Sequence, residues 1–273
     1  MGVITAPGSD LDLEHWRDYE DILTDSLWLI PKRDTSGGHA GSTSYHGGFV
    51  AQIPQQLIRR FTKPGDVVLD LFAGWGTTAI CAKELGRHSF NVDLSDEATN
   101  DAQRRLDALP NPHRVEAHFY QADATEDIRW LRMELYCMTG RLDVDLTILH
   151  PPYADIVKFS DNPLDLSNLP VDEFYMSLGM VAHQAKTMTR RGGHVALVIG
   201  DCYKKGKVEP LGFRCMQILA DTGLVLKGII VKDIQGNEKG SGGKNKNLWR
   251  YRHLKNGTFG FSHEYLFLFR NDV

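Results

Sequence analysis

Between residues 67 and 199 the chain alternates short apolar runs with amphipathic segments, and this limits the fold more than any other feature. The runs at 67–72, 89–92, 115–121, 146–149 and 194–199 have the length of buried strands. A helix at 77–85 stops at Gly86, and Ser95 caps another with Asp96 and Glu97 in its first turn. A third, at 170–189, opens with Asp172 and Glu173 and closes at Arg190, Arg191 and Gly192; a fourth covers 210–222. Such alternation asks for a parallel sheet with helices on both faces. Residues 224–232 and 265–270 read as two last strands without a helical crossover, hence an antiparallel pair. Upstream, 10–30 reads as a helix carrying Trp16, Tyr19, Ile22 and Leu23, and the Gly/Ser-rich stretch 34–48 as a flexible loop. Pro54 opens a helix with Leu57, Ile58 and Phe61 that ends before Pro64-Gly65. The expectation is one α/β domain over 1–273, with 1–48 as its N-terminal helix and loop.

Composition narrows the search for function. The 42% hydrophobic and 24% charged residues are those of a soluble globular protein. A net charge of −4 and a pI near 6.3 leave any nucleic-acid contact to local basic patches. No apolar run approaches the ~20 residues that span a bilayer, and the first residues lack the pattern of a secretory signal. Cys81, Cys137, Cys202 and Cys215 lie far apart without metal-ligand spacing. They read as reduced thiols in a cytoplasmic protein without a metal.

The strand ends carry the chemistry. VVLDLFAGWGTTAICAKELG brings Asp70, then a turn with Gly74 and Gly76, then a helix opening at Thr77 and Thr78. Glycines let backbone approach a ligand, and a helix N-terminus offers free amides. Alone this is also an ordinary tight turn, with Ala79 at the third glycine position of the dinucleotide fingerprint. Asp93 in FNVDLS ends the next strand, where an acid suits ribose hydroxyls or caps a helix. Asp123 in YQADAT ends the third and, taken alone, is a turn residue. In succession the three describe a nucleoside-binding edge.

The fourth strand end, in DLTILHPPYADIVKFS, is His150-Pro151-Pro152-Tyr153. Two prolines fix a backbone that continues neither strand nor helix, leaving the Pro151 carbonyl available as an acceptor. A neutral His150 adds a second acceptor, and Tyr153 a flat face for a planar group. Two acceptors and a stacking face suit the exocyclic amine of a base. A rigid loop with a core tyrosine is the alternative.

DLFAGWGTT followed by LHPPY resembles the DNA amino-methyltransferases, which modify adenine N6 or cytosine N4. That family carries a D-x-F-A-G-S-G-T-T loop and a (D/N/S)-P-P-(Y/W/F) motif. YHGGFVAQIPQQLIRRFTKPGD is similar to the segment preceding the family's loop, and the likeness runs from about residue 26 to 200. It implies a Rossmann-like methyltransferase sheet, S-adenosylmethionine as cofactor and DNA as partner. It implies that Asp70, Phe72, Ala73, Gly74, Gly76, Thr77 and Thr78 hold the cofactor's methionine part. Asp93 would take its ribose, Asp123 its adenine, and His46, Phe49 and Ile53 would contribute from upstream. His150, Pro151, Pro152 and Tyr153 would hold the flipped base. Two departures stand out: Trp75 lies between the glycines, and His150 replaces Asp, Asn or Ser, which leaves the accepted base open.

The resemblance implies direct attack of the base amine on the sulfonium methyl, with cytosine N4 slightly favoured because family members with a non-acidic first residue mostly modify cytosine. Methylation at cytosine C5 needs a cysteine usually presented after a proline, and none of the four follows one. N6-adenine, an RNA or protein-glutamine substrate, and an inactive nucleic-acid-binding module stay open. DNA contact is expected from a basic insert at 233–260, through Lys239, Lys244, Lys246, Trp249, Arg250 and Arg252 with Tyr251 and Lys255. A solvated hairpin tip is the alternative there. YKKGK at 203–207 reads as a charged turn, and His263 and Glu264 as buttresses of the last strand. With no stretch long enough for a large separate recognition domain, a homodimer is one route to recognition, and the resemblance leaves a cognate restriction nuclease open as a partner.

Overall fold

The computed structural model describes residues 5–30, 50–154, 158–234 and 246–273. Its strands are β1 (Leu27–Trp28), β2 (Val67–Asp70), β3 (His88–Asp93), β4 (Ala117–Gln121) and β5 (Val144–Leu149). They continue with β6 (Thr189–Ile199), β7 (Cys202–Lys204), β8 (Lys207–Glu209), β9 (Val225–Asp233) and β10 (His263–Arg270). The helices are α1 (Gln52–Phe61), α2 (Thr77–Glu84), α3 (Asp96–Asp107), α4 (Leu131–Thr139), α5 (Val171–Met188), α6 (Leu211–Asp221) and α7 (Lys246–Asn256).

Eight strands form one sheet in the order β1-β9-β10-β6-β5-β2-β3-β4. β2 to β6 are mutually parallel, and β10 runs antiparallel between β6 and β9. This is the α/β sheet with an antiparallel end that the sequence pattern asks for. β2 and β5 are buried along their whole length because helices cover both faces, which is why they read as unbroken apolar runs. β6 sends Val195, Leu197 and Ile199 into a core with α4, α5 and α6, and Ala196 and Val198 into one with α1 and α2. From β2 the chain moves outward through β3 and β4, then returns to β5 on the other side of β2. That reversal sets the C-terminal ends of β2 and β5 side by side, where open α/β sheets bind ligands.

Three local expectations change. Residues 10–30 hold only a short 3-10 turn (Leu13–Asp18) before β1. There the Gln56 side chain replaces helical bonding, accepting from Leu23 N at 2.8 Å and donating to Asp21 O at 2.7 Å. Trp28 is buried at the sheet edge, whereas Trp16 is 57% exposed. YKKGK forms a hairpin, β7–β8, and the basic insert contains α7. The 34–48 loop lies outside the described residues.

At the sheet edge opposite the glycine turn, Asp145 is buried against Arg141 (2.6 and 3.1 Å), Arg190 (2.6 Å) and the amide of Val67 (2.9 Å). Two cavities of about 560 Å³ open there; they touch none of the strand-end carboxylates, and the site is assigned by its chemistry. No helix among the described residues is long and apolar enough to cross a membrane.

Candidate active site

The turn after β2 is built around two glycines that are needed for different reasons. Gly76 has φ +80, and a Cβ there would lie 2.7 Å from the Phe119 ring, so it lets the start of α2 close onto β4. Gly74 has φ +48 and nothing within 4 Å of its Cβ position. The turn is therefore packed on one side and open on the other.

Two carboxylates organise this edge, Asp70 buried and Asp93 half-buried. Asp70 accepts from Phe72 N at 2.9 Å. Burial pushes its pKa up to about 6, the Thr78 hydroxyl and Phe72 amide oppose that shift, and Asp93 adds to it. Asp93 accepts from Gly74 N at 2.7 Å through one oxygen and from Ser95 N at 2.9 Å through the other. Its pKa is also raised, chiefly by burial, with Asp165 of the loop before α5 contributing. Asp123 closes its own turn through Oδ1, which accepts from the Thr125 amide and hydroxyl at 2.8 and 2.7 Å.

At the end of β5, Pro151 is buried and His150, Pro152 and Tyr153 are partly exposed. Buried Ala154 follows at φ +47, a conformation costly for a non-glycine residue. His150 and Tyr153 meet edge to face with ring centroids 6.1 Å apart. Burial lowers the His150 pKa; Glu264 opposes this and Lys232 reinforces it. The shift favours the neutral imidazole.

The Tyr153 hydroxyl donates to Glu264 Oε2 at 3.1 Å, and Glu264 Oε1 lies 3.0 Å from Lys232 Nζ. The reading of residues as a linear string missed this link. One signal was present: Lys232 directly follows the apolar run Ile229–Val231 at the close of β9, and a lysine there must find an anion when buried.

The structure brings Asp70, Phe72, Ala73, Gly74, Gly76, Thr77, Thr78 and Asp93 together around one turn, beside the His150 corner on the neighbouring strand. Asp123 follows β4, two strands from β2. Ile53 is wholly buried in the core beneath α1. His46, Phe49, Lys239 and Lys244 lie outside the described residues. Lys246 and Trp249 fall on α7, where Arg250, Tyr251 and Arg252 are exposed. The segment from α7 to β10 docks on the β7–β8 hairpin, Phe259 N donating to the Tyr203 hydroxyl at 3.1 Å. Both lie on the sheet edge that carries the His150 corner.

Residues 11–104 match a family model described as DNA methylase. This stretch is similar to the DNA methylase family. It contains the glycine turn, Asp70 and Asp93, so the resemblance read from DLFAGWGTT is borne out there. Within curated relatives, the Type II methyltransferase M1.MboII of Moraxella bovis is 46% identical over 55 residues, 20% of this chain and 21% of that protein. The Type II methyltransferase M2.DpnII of Streptococcus pneumoniae is 41% identical over 66 residues, 23% of this chain and 25% of that protein. The chain thus spans about a fifth to a quarter of these curated relatives' length. Among solved structures, TrmN of Thermus thermophilus superposes with a TM-score of 0.51 at 18% identity, over 83% of this chain and 50% of that one. At this identity the likeness is one of fold: a Rossmann-like sheet with an antiparallel end.

Proposed function

We propose that the protein is an S-adenosylmethionine-dependent DNA amino-methyltransferase acting on a base drawn out of its stack. One observation carries the reading: a carboxylate-lined glycine turn and a rigid acceptor corner occupy adjacent strand ends, β2 and β5. The DNA methylase match over the turn and the two Type II methyltransferases support DNA as substrate.

The residues of the turn fit this cofactor. Asp70 and Asp93 are desolvated carboxylates that repel one another, a state that a cationic ligand relieves. Open space at Gly74 gives such a ligand access to backbone. Asp70 and the start of α2 would hold the methionine part, Asp93 the ribose and Asp123 the adenine. When bound, S-adenosylmethionine supplies a methyl group on a positively charged sulfur.

The rest is the work of the corner. His150 and the Pro151 carbonyl accept the two hydrogens of the target amine and turn its lone pair out of conjugation with the ring. Tyr153 stacks on the base and offsets part of the cost of unstacking. Fixing the amine beside the methyl donor supplies much of the acceleration. α7, which contains no acid, and the β7–β8 hairpin form a basic rim on this edge for DNA phosphates.

Incubation with tritiated cofactor and DNA, RNA or protein tests the reading, and label in DNA is the expected result. Label in another polymer, or cofactor binding without transfer to any, overturns it. The non-acidic His150 favours cytosine N4 as the acceptor. Nucleoside mass spectrometry checks that choice, and N6-methyladenine alone would reverse it.

A further inference from the structure

We propose that Lys232 and Glu264, a buried ion pair on β9 and β10, are positioning residues that fix Tyr153 and, across its ring, tune the His150 beside it. The proposal rests on the methyl-transfer reading above and extends the site to strands that carry none of its sequence motifs.

The geometry is continuous. Lys232 and Glu264 are direct cross-strand partners, with side chains only 7% and 13% exposed. One Glu264 oxygen meets Lys232 at 3.0 Å, and the other accepts from the Tyr153 hydroxyl at 3.1 Å. Gly200, at the end of β6, lets that strand close on the ring: a Cβ there would lie 3.3 Å from Tyr153 Cε2. A buried ion pair is a weak source of stability, since well-packed apolar residues often do as well. This pair spends its second carboxylate oxygen on the one ring placed to stack a base.

The pair connects to His150 through Tyr153, whose ring meets the imidazole edge-on and whose hydroxyl donates to Glu264, and both charges act on the imidazole. They act in opposite senses, Glu264 favouring imidazolium and Lys232 the neutral ring. Both states have a use. As the amine nitrogen bonds to the methyl carbon and the carbon–sulfur bond breaks, positive charge passes from sulfur to nitrogen, which must then shed a proton. Neutral His150 accepts the amine hydrogen before transfer and takes that proton after it. Glu264 stabilises the imidazolium so formed until the proton passes to water.

The test follows the His150 ring directly, by NMR titration of the full chain without cofactor, with the resonance assigned through His150→Gln. Glu264→Gln keeps an acceptor for Tyr153 but removes the negative charge, so the His150 pKa should fall. Lys232→Met removes the positive charge, so it should rise. The acid limb of kcat against pH should move in the same two directions. A purely structural pair predicts an unmoved titration, or shifts of one sign, and either result overturns the proposal. The double variant Lys232→Met/Glu264→Leu leaves no lone buried charge and serves where a single variant does not fold. It should lose about tenfold or more in kcat with cofactor affinity unchanged, because Tyr153 loses its anchor; unchanged kcat overturns the anchoring role. If wild-type protein labels no polymer while the His150 pKa still splits in opposite directions, the methyl-transfer reading fails and the charge relationship stands.

Discussion

The Gly74 amide donates to Asp93 Oδ2 at 2.7 Å, so the end of β3 holds the turn that follows β2. Asp93 also fixes the start of α3 through Ser95 N, which makes it a brace beside its proposed role as a ribose ligand. Asp93→Ala should therefore weaken S-adenosylmethionine binding about 10- to 100-fold, the worth of a charged hydrogen-bonding group plus the loosened turn. Calorimetric titration of the variant checks this. Unchanged affinity would leave Asp93 a structural brace only.

Asp70 makes cofactor affinity depend on pH. Its pKa near 6 means that a cation must bind to a charged carboxylate that is increasingly protonated below that value. Affinity should be steady above pH 7 and drop by up to about tenfold per unit below pH 6. The ligand-free protein should behave in the opposite way. A carboxyl whose folded pKa is raised contributes stability that is fully present below the ordinary 3.8 and lost as pH rises through about 6. Binding isotherms and urea melts over pH 4 to 8, on wild type and Asp70→Asn, separate the two trends.

The two turn glycines should respond differently to alanine. Gly76→Ala adds a Cβ 2.7 Å from the partly buried Phe119 ring at φ +80, so it should destabilise the fold by about 2–3 kcal/mol through overpacking and strain. Gly74→Ala meets open space, so only the strain of a positive φ applies, about 1 kcal/mol. That variant should instead lose cofactor affinity, because its methyl occupies the open side of the turn. Denaturant melts and binding measured on the same two proteins give the contrast. Equal behaviour would mean that the open side of Gly74 is not where the ligand lies.

How much of this was legible without coordinates depends on the range of the interactions concerned. β2, α2, β3 and the cap at Ser95 are set by local periodicity and by residues within a turn of one another, and they stand within two residues of the sequence reading. The helix expected over 10–30 failed because its backbone bonds go to Gln56, more than 30 residues away. The partnership of Tyr153 with Glu264 spans 111 residues, and that of Glu264 with Lys232 follows from β10 inserting between β6 and β9. No periodicity in the chain encodes that insertion. The sequence placed the glycine turn, the His150 corner and the last antiparallel strand pair; that this pair stands behind the corner came only from the fold.

Asp145 offers a test of stability far from the chemistry. Burial pushes its pKa up, but Arg141, the Val67 amide and Arg190 outweigh this and hold it below the ordinary 3.8. Asp145→Ala strips two guanidinium groups and a buried amide of their acceptor. Because both arginines reach solvent, the cost should be about 2–4 kcal/mol, at the low end for a broken buried pair. A depressed carboxylate pKa gives stability that is present above 3.8 and lost as pH falls below it. Wild type should therefore lose more stability than Asp145→Ala between pH 5 and pH 3, as urea melts at fixed ionic strength would show. Parallel losses would remove the ion pair from the account.

The rim formed by α7 makes a prediction about salt. Arg250 and Arg252 are exposed on a helix that has basic and aromatic residues but no carboxylate, on the same sheet edge as the His150 corner. Each phosphate contact neutralised by such a side chain releases condensed counterions and adds about 0.9 to the slope of log affinity against log salt on duplex DNA. Arg250→Ala/Arg252→Ala should weaken DNA binding at low salt and flatten that slope by about 1–2, while cofactor affinity stays at the wild-type level. The two losses separate position from chemistry: a contact to phosphate changes the slope, whereas damage to the corner changes turnover at every salt concentration. An unchanged slope with normal turnover would place the DNA on another face. The β7–β8 hairpin, with Lys205 and Lys207 on the same edge, would then be the next pair to replace.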